Sequence, residues 1–173
     1  GYYLIVGRLI PDNNSKIIIN SLLKSNTNKQ LVVVGDVPYN DSYADTVKNI
    51  NSNKLILTGY VKCQNELTQL YKNCYCYIHG HEYGGTNPTM INALTLNCEV
   101  LALNTKFNKE MLLNKKTIYF EKKTKSIIES IEIFERDIET NKSKNRAYKI
   151  PIKYTWEKIV NQYIELFLKI TNS

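Results

Sequence analysis

Six short apolar runs, rich in β-branched and aromatic residues, punctuate the first 120 residues, and each of the five gaps between them has helical character. The runs are Tyr2 to Val6, Leu31 to Val34, Leu55 to Leu57, Tyr75 to His79, Val100 to Leu103 and Thr117 to Phe120. The helical segments are about 14–24, 42–50, 64–72, 88–96 and 108–113. Strands alternating with helices at this spacing imply βαβ units and a parallel sheet covered on both faces. Runs such as LVVV and LIVG are apolar throughout, as strands buried on both sides must be. The expected fold is α/β: a Rossmann-like parallel sheet with helices on both faces over residues 2–120, then a mainly helical tail over residues 124–173. In that tail the pattern predicts a helix over about 125–140, a polar loop, and a last helix from Thr155 to about Ile170. Trp156, Ile159, Val160, Tyr163, Ile164 and Phe167 form one apolar stripe on the last helix, expected to pack on the domain's own sheet.

A length of 173 residues suits one domain with a substantial core. No window approaches the roughly 18 to 20 continuous apolar residues of a membrane span, and the N-terminus lacks a basic stretch followed by an apolar one. Four cysteines, Cys63, Cys74, Cys76 and Cys98, show no paired C-x-x-C spacing, which argues against a metal site and for a reducing, cytoplasmic setting. Cys74 and Cys76, two apart in a strand-like run, are expected to share a face and pack together. The net charge of +7 raises the question of nucleic acid. Lys115, Lys116, Lys122, Lys123 and Lys125 do cluster, but without aromatic interleaving and with Glu121 and Glu129 among them. A solvated surface is the reading, with peripheral attraction to the inner face of an anionic membrane as the alternative and no nucleic acid expected.

Ligands of open α/β sheets bind beyond the carboxyl ends of the strands. Each of the first four strands is followed there by a plausible binding loop: Gly7 and Arg8, Gly35 and Asp36, Gly59 and Tyr60, and His79 to Asn87. The fourth is the most informative, because HGHEYGGTNPTMINAL empties a strand through a glycine-rich turn into a helix beginning at Pro88. Bare backbone N–H groups at a helix N-terminus favour a phosphate. Gly84 and Gly85 permit positive φ and close approach of a diphosphate, and Pro88 opens the helix without losing a useful donor. An ordinary strand-to-helix turn has the same make-up, so the neighbouring loops carry part of the argument.

Taken in order, VGRLIPDNN, VVVGDVPY, LTGYV, YIHGHEYGGTNPTMINAL and ALNTKFNKEML resemble the C-terminal, nucleotide-sugar-binding half of a GT-B glycosyltransferase of family 4, closest to the bacterial rhamnosyltransferases. The last helix, YTWEKIVNQYIELF, resembles that family's C-terminal helix. The resemblance implies that Arg8 faces the donor diphosphate, with Gly84, Gly85 and Thr86 offering further donors. Many relatives place a lysine six residues after that arginine; here Asn14 stands there, and Lys16 is the candidate substitute. Glu82 is implied as the catalytic carboxylate beside the sugar, binding its hydroxyls or supporting positive charge at the anomeric carbon. His79, His81 and Asn87 are the implied sugar-side residues. Relatives carry a second glutamate on the ribose ten residues after the first; this chain has the shorter, uncharged Asn92. Tyr60 and Val61 are implied at the base.

The expected function is retaining transfer of a sugar from a nucleotide-diphospho-sugar, with dTDP-rhamnose suggested, to a glycan or lipid-linked acceptor in surface polysaccharide synthesis. No cofactor and no metal are expected; His79 and His81 lack a third ligand. The N-terminal acceptor domain of such enzymes is expected to be absent, so that this chain alone binds a donor weakly and transfers nothing. The alternative is a degenerate, non-enzymatic binding or scaffold module, which Asn92 and the missing lysine favour. A dehydrogenase is opposed by Gly7-Arg8-Leu9-Ile10, which is not the G-x-G-x-x-G turn.

Overall fold

The computed structural model describes residues 1–113, 117–140 and 154–171. Six strands form one parallel sheet: β1 (Tyr3–Val6), β2 (Leu31–Val34), β3 (Leu55–Gly59), β4 (Cys76–His79), β5 (Val100–Leu103) and β6 (Ile118–Phe120). Their spatial order is β3-β2-β1-β4-β5-β6, every neighbouring pair parallel. Between them run α1 (Ser15–Lys24), α2 (Ser42–Lys48), α3 (Gln64–Asn73), α4 (Pro88–Thr95) and α5 (Lys106–Leu112); α6 (Thr124–Glu139) and α7 (Trp156–Thr171) follow β6.

Two cores sandwich the sheet, because successive strand side chains point to opposite faces. Tyr3, Ile5, Leu31, Val33 and Ile78 face Ile18, Ile19 and Leu22 of α1, Val47 of α2, and Ile127, Ile131 and Phe134 of α6. Leu4, Val32, Val34, Tyr77 and Val100 face Tyr71 of α3, Met90, Ala93 and Leu94 of α4, and Met111 and Leu112 of α5. The predicted α/β sheet with helices on both faces is therefore the observed one.

Helix starts follow their caps. Asp41 accepts a hydrogen bond from Ala44 N at 2.9 Å, and Thr105 accepts one from Asn108 N at 3.1 Å, so α5 begins at Lys106 and not near Asn108. α1 begins one residue later than expected, because Asn14 sits just before it in the left-handed region at φ 56°.

Two expectations are corrected. Cys74 is not in a strand: it ends α3 and packs on the α4 side, while Cys76 starts β4 and packs on the opposite core. Its cysteine neighbour is Cys98. The apolar stripe of α7 does not cover the sheet, since no residue of that helix is buried and Trp156, Tyr163 and Phe167 are 81%, 57% and 60% exposed. Most of the polar loop expected before α7 lies outside the described residues, as do Lys115 and Lys116. No helix among the described residues is long and apolar enough to cross a membrane.

Candidate functional site

The chain leaves β1 for β2 and β3 on one side of the sheet and for β4, β5 and β6 on the other, so the strand order reverses between β1 and β4. Loops diverging at such a point leave a crevice beyond the strand ends. A cleft of about 300 Å³ occupies it, walled by Val6, Gly7, Arg8 and Asn13 on the β1 side and by His79, Gly80, His81 and the segment Gly84 to Thr89 on the β4 side.

The two loops are stapled together by asparagines. Asn13 donates from Nδ2 to Arg8 O at 2.7 Å and meets His81 Nδ1 through Oδ1. Asn14, buried, donates to Gly80 O at 2.9 Å. Backbone pairing adds Glu82 N to Asp12 O at 2.9 Å. The approach is so close that a Cβ on Gly80 would sit 2.4 Å from Asn13 O, which only glycine avoids. Asn108, buried behind the loop, donates to His81 O and to Leu103 O, tying the turn to β5.

The glycine turn then presents main-chain donors. Gly84 takes φ 111°, a conformation open to glycine and costly for other residues, whereas Gly85 has ordinary φ and open space around it. Among the described residues the amides of Gly84, Gly85 and Thr86 make no hydrogen bond. Two amides further on are taken internally: Asn87 N donates to Met111 Sδ at 3.4 Å and Thr89 N to Asn87 Oδ1 at 3.0 Å. Arg8, exposed, supplies the only fixed charge on the lining, which carries no carboxylate. Three open amides, an adjacent helix N-terminus and one guanidinium favour an anion.

At the floor lies His79, 2% exposed. Its Nδ1 is 2.9 Å from Tyr77 Oη, and its buried Nε2 has no partner among the described residues. Burial, reinforced by His81, lowers its pKa to about 3, so the ring is neutral. The half-buried His81 is lowered too, chiefly by desolvation, against a raising effect from Asp12.

Glu82 turns away from this lining. Its Oε2 accepts from Lys122 Nζ at 2.7 Å and from Asn14 Nδ2 at 3.3 Å. The Lys122 ammonium holds its pKa below the usual carboxylate value, with Asn14 helping, and Glu82 raises that of Lys122 in return.

The structure thus gathers Arg8, His79, His81, Gly84, Gly85, Thr86 and Asn87 around one cleft. Lys16 opens instead onto a neighbouring depression shared with Asn14, Tyr43 and Lys122. Val61 lines a third hollow with Tyr2 and Leu70; Tyr60 is exposed, and Asn92 is half-buried outside the cleft lining. The spacing of the sequence does not reveal Asn13, Asn108 and Lys122, whose partners in the site lie 68, 27 and 40 residues away, while Tyr77 and Thr89 join it at short range through His79, Asn87 and each other. No group of three or more His, Cys, Asp or Glu side chains among the described residues is placed to hold a metal ion.

The family profile described as "Glycosyl transferases group 1" matches residues 1–150. A search of curated protein sequences found no significant match. Among solved structures, the catalytic domain of cholesterol-alpha-glucosyltransferase from Helicobacter pylori matches with TM-score 0.69 at 18% identity, covering 84% of this chain and 94% of that one. HepE from Anabaena, in complex with UDP and glucose, matches with TM-score 0.69 at 18% identity, covering 85% of this chain and 41% of that one. The pneumococcal O-GlcNAc transferase GtfA, in complex with UDP and GlcNAc, gives TM-score 0.77 at 10% identity, covering 99% of this chain and 36% of that one. At these identities the likeness is one of fold.

Proposed function

The chain belongs to the glycosyl transferases group 1 family, and on that premise we propose that its cleft is the donor site of a retaining glycosyltransferase. The diphosphate of a nucleotide sugar rests on the amides of Gly84, Gly85 and Thr86 and is clamped by Arg8. The observation that carries this is the coincidence of three open amides, one guanidinium and no carboxylate at the switch point of the sheet. HepE and GtfA, which share the fold, were each solved with UDP and a sugar, in agreement with a nucleotide-sugar donor here.

The transferred sugar lies over His79 and His81 and beside Asn87. Glu82, kept ionised by Lys122 and itself outside the cleft lining, is assigned on the family resemblance the role of stabilising positive charge that develops at the anomeric carbon. Main-chain amides and side chains carry this chemistry in the proposal, with neither cofactor nor metal. Contacts of Asn92 with the ribose, of Tyr60 and Val61 with the base and of Lys16 with the phosphates rest on the family resemblance, since all four lie outside the cleft lining. Rhamnose carried by dTDP is the proposed donor, and a membrane-borne precursor of a surface polysaccharide the proposed acceptor. The chain spans about two-fifths of HepE and a little over a third of GtfA. We place the acceptor site on a second domain, so that this chain alone binds donor and transfers nothing.

Calorimetry with dTDP-rhamnose, UDP-glucose and GDP-mannose tests the reading: at least one binds, and silence from all three and from the free nucleotides rejects it. Asn92, where relatives carry glutamate, favours a second reading as a non-enzymatic module of the same fold. Asn92→Glu separates the two, because a donor site tightens and a scaffold does not respond.

A further inference from the structure

The contacts among Asn87, Thr89, Tyr77 and His79 under the cleft are satisfied together by one arrangement of protons, in which the neighbouring Tyr71 gives its own proton to Thr89 O at 3.1 Å. Asn87 Oδ1 accepts from Thr89 N at 3.0 Å, which fixes the amide with its oxygen towards Thr89. Thr89 Oγ1 lies 2.8 Å from that same oxygen, a contact that requires the threonine proton, because a carbonyl oxygen has none to give. With its single proton spent, Thr89 Oγ1 can only accept from Tyr77 Oη, 2.9 Å away. Tyr77 has then used its own proton, and its contact with His79 Nδ1 at 2.9 Å must be donated by the ring. The reverse order, with Tyr77 donating to His79, would leave two hydroxyl oxygens or a hydroxyl and a carbonyl oxygen facing each other without a proton. A neutral imidazole carries one N–H, so Nε2 has a lone pair and no hydrogen. That Nε2 is the buried atom without a partner, on a residue that lines the cleft.

We infer that Asn87, Thr89 and Tyr77 lock His79 in its Nδ1–H form, so that Nε2 is an acceptor reserved for a hydroxyl of the transferred sugar and closed to phosphate oxygens. The inference rests on the donor-site reading for the identity of the ligand, but the tautomer lock stands on the hydrogen-bond geometry and the burial of the ring. An ionised phosphate oxygen has no proton to offer Nε2, whereas a sugar hydroxyl does. His79 therefore sorts the two ends of the ligand, the hydroxyl-bearing ring to the floor and the diphosphate to the amides and Arg8. Tyr77 and Thr89 become positioning residues acting through His79.

Nitrogen-15 NMR of histidine-labelled protein tests this, and with two histidines in the chain one His81→Gln variant completes the assignment. In the free protein at pH 7, His79 is expected to show a protonated Nδ1 and an unprotonated Nε2. Addition of a nucleotide sugar that binds shifts Nε2, while the matching nucleoside diphosphate leaves it in place. Tyr77→Phe and Thr89→Val release the tautomer and shrink the affinity gap between nucleotide sugar and nucleoside diphosphate by roughly fivefold. Thr89→Ser, which keeps the hydroxyl, preserves the gap; thermal melts confirm that each variant is folded. A protonated Nε2 in the free protein overturns the inference. So does a shift of Nε2 equally large with the nucleoside diphosphate, which would make His79 a phosphate contact. If no nucleotide binds, the sugar assignment falls with the donor-site reading, and an intact Nδ1–H signal in the same sample identifies the reading as what failed.

Discussion

Asn14 stands where the family resemblance implies a lysine, in a conformation that suits asparagine. Its φ of 56° lies where asparagine is tolerated and long side chains are strained, and its amide joins the first loop to Gly80 O and Glu82 Oε2. The cation beside Glu82 comes instead from Lys122, 40 residues further along the chain. Asn14→Ala loses both the staple and the tolerance for positive φ, and is expected to cost about 2 kcal/mol in urea unfolding; a loss below about 0.5 kcal/mol would show that the staple is idle. Lys122→Met should move the carboxyl midpoint of Glu82, followed by carbon-13 NMR, towards higher pH. The sign follows from the shift: a carboxylate whose pKa is lowered in the folded state adds stability above its unfolded pKa and loses it as pH falls through the folded one. The pair is partly exposed, so the variant should change overall stability little. An unmoved midpoint would remove Lys122 from the account. None of this was legible in the sequence, because each contact joins residues far apart in the chain. Arg8, Gly84 and the strand-end histidines were legible, because local spacing alone places them at strand ends.

The helices divide into those that hold the site and one that faces outward. α4 starts on a cap made by Asn87, and the same side chain ends the relay to His79. Asn87→Ala is therefore expected to cost about 1 kcal/mol of stability and also to narrow the affinity gap between nucleotide sugar and nucleoside diphosphate. A loss of stability with the gap intact would limit Asn87 to capping. α7 behaves differently. Its stripe has the 3.6-residue period of a packed helix, yet none of the residues on it is buried and all but Ile159 are exposed. Periodicity reports an apolar face and not what covers it, and for this reason the sequence could not place α7. Changing Tyr163 and Phe167 together to serine should leave the melting of this chain within about 0.5 kcal/mol of the parent; a larger loss would mean that α7 packs on the domain after all. The cysteines carry the same lesson at shorter range, since two residues of spacing suggested one strand face for Cys74 and Cys76 while a helix end separates them.

For the molecule as a whole, βαβ alternation dictated a parallel sheet, and crossovers to either side of β1 leave the crevice in which the cleft lies. That much follows from the order of the elements. Placing a neutral histidine on the cleft floor has a global cost in acid. The folded pKa of His79, about 3, lies below the ordinary 6.5, so between these values the unfolded chain binds a proton that the native one refuses. Stability is therefore greatest above pH 6.5 and declines towards pH 3, by at most about 1.4 kcal/mol per pH unit from this residue. His79→Gln should flatten the pH dependence of urea unfolding across that window, and equal slopes in both proteins would contradict a buried neutral ring. The proposed donor site depends on the open amides of the glycine turn and the Arg8 guanidinium gripping a diphosphate together. Amide chemical-shift mapping with UDP, GDP and dTDP tests it most directly. At least one of them is expected to shift Gly84, Gly85 and Thr86 first, and Arg8→Ala to weaken the same titration by about 1.5–3 kcal/mol. Shifts confined to other parts of the sheet, or an Arg8→Ala titration identical to that of the parent, would contradict it.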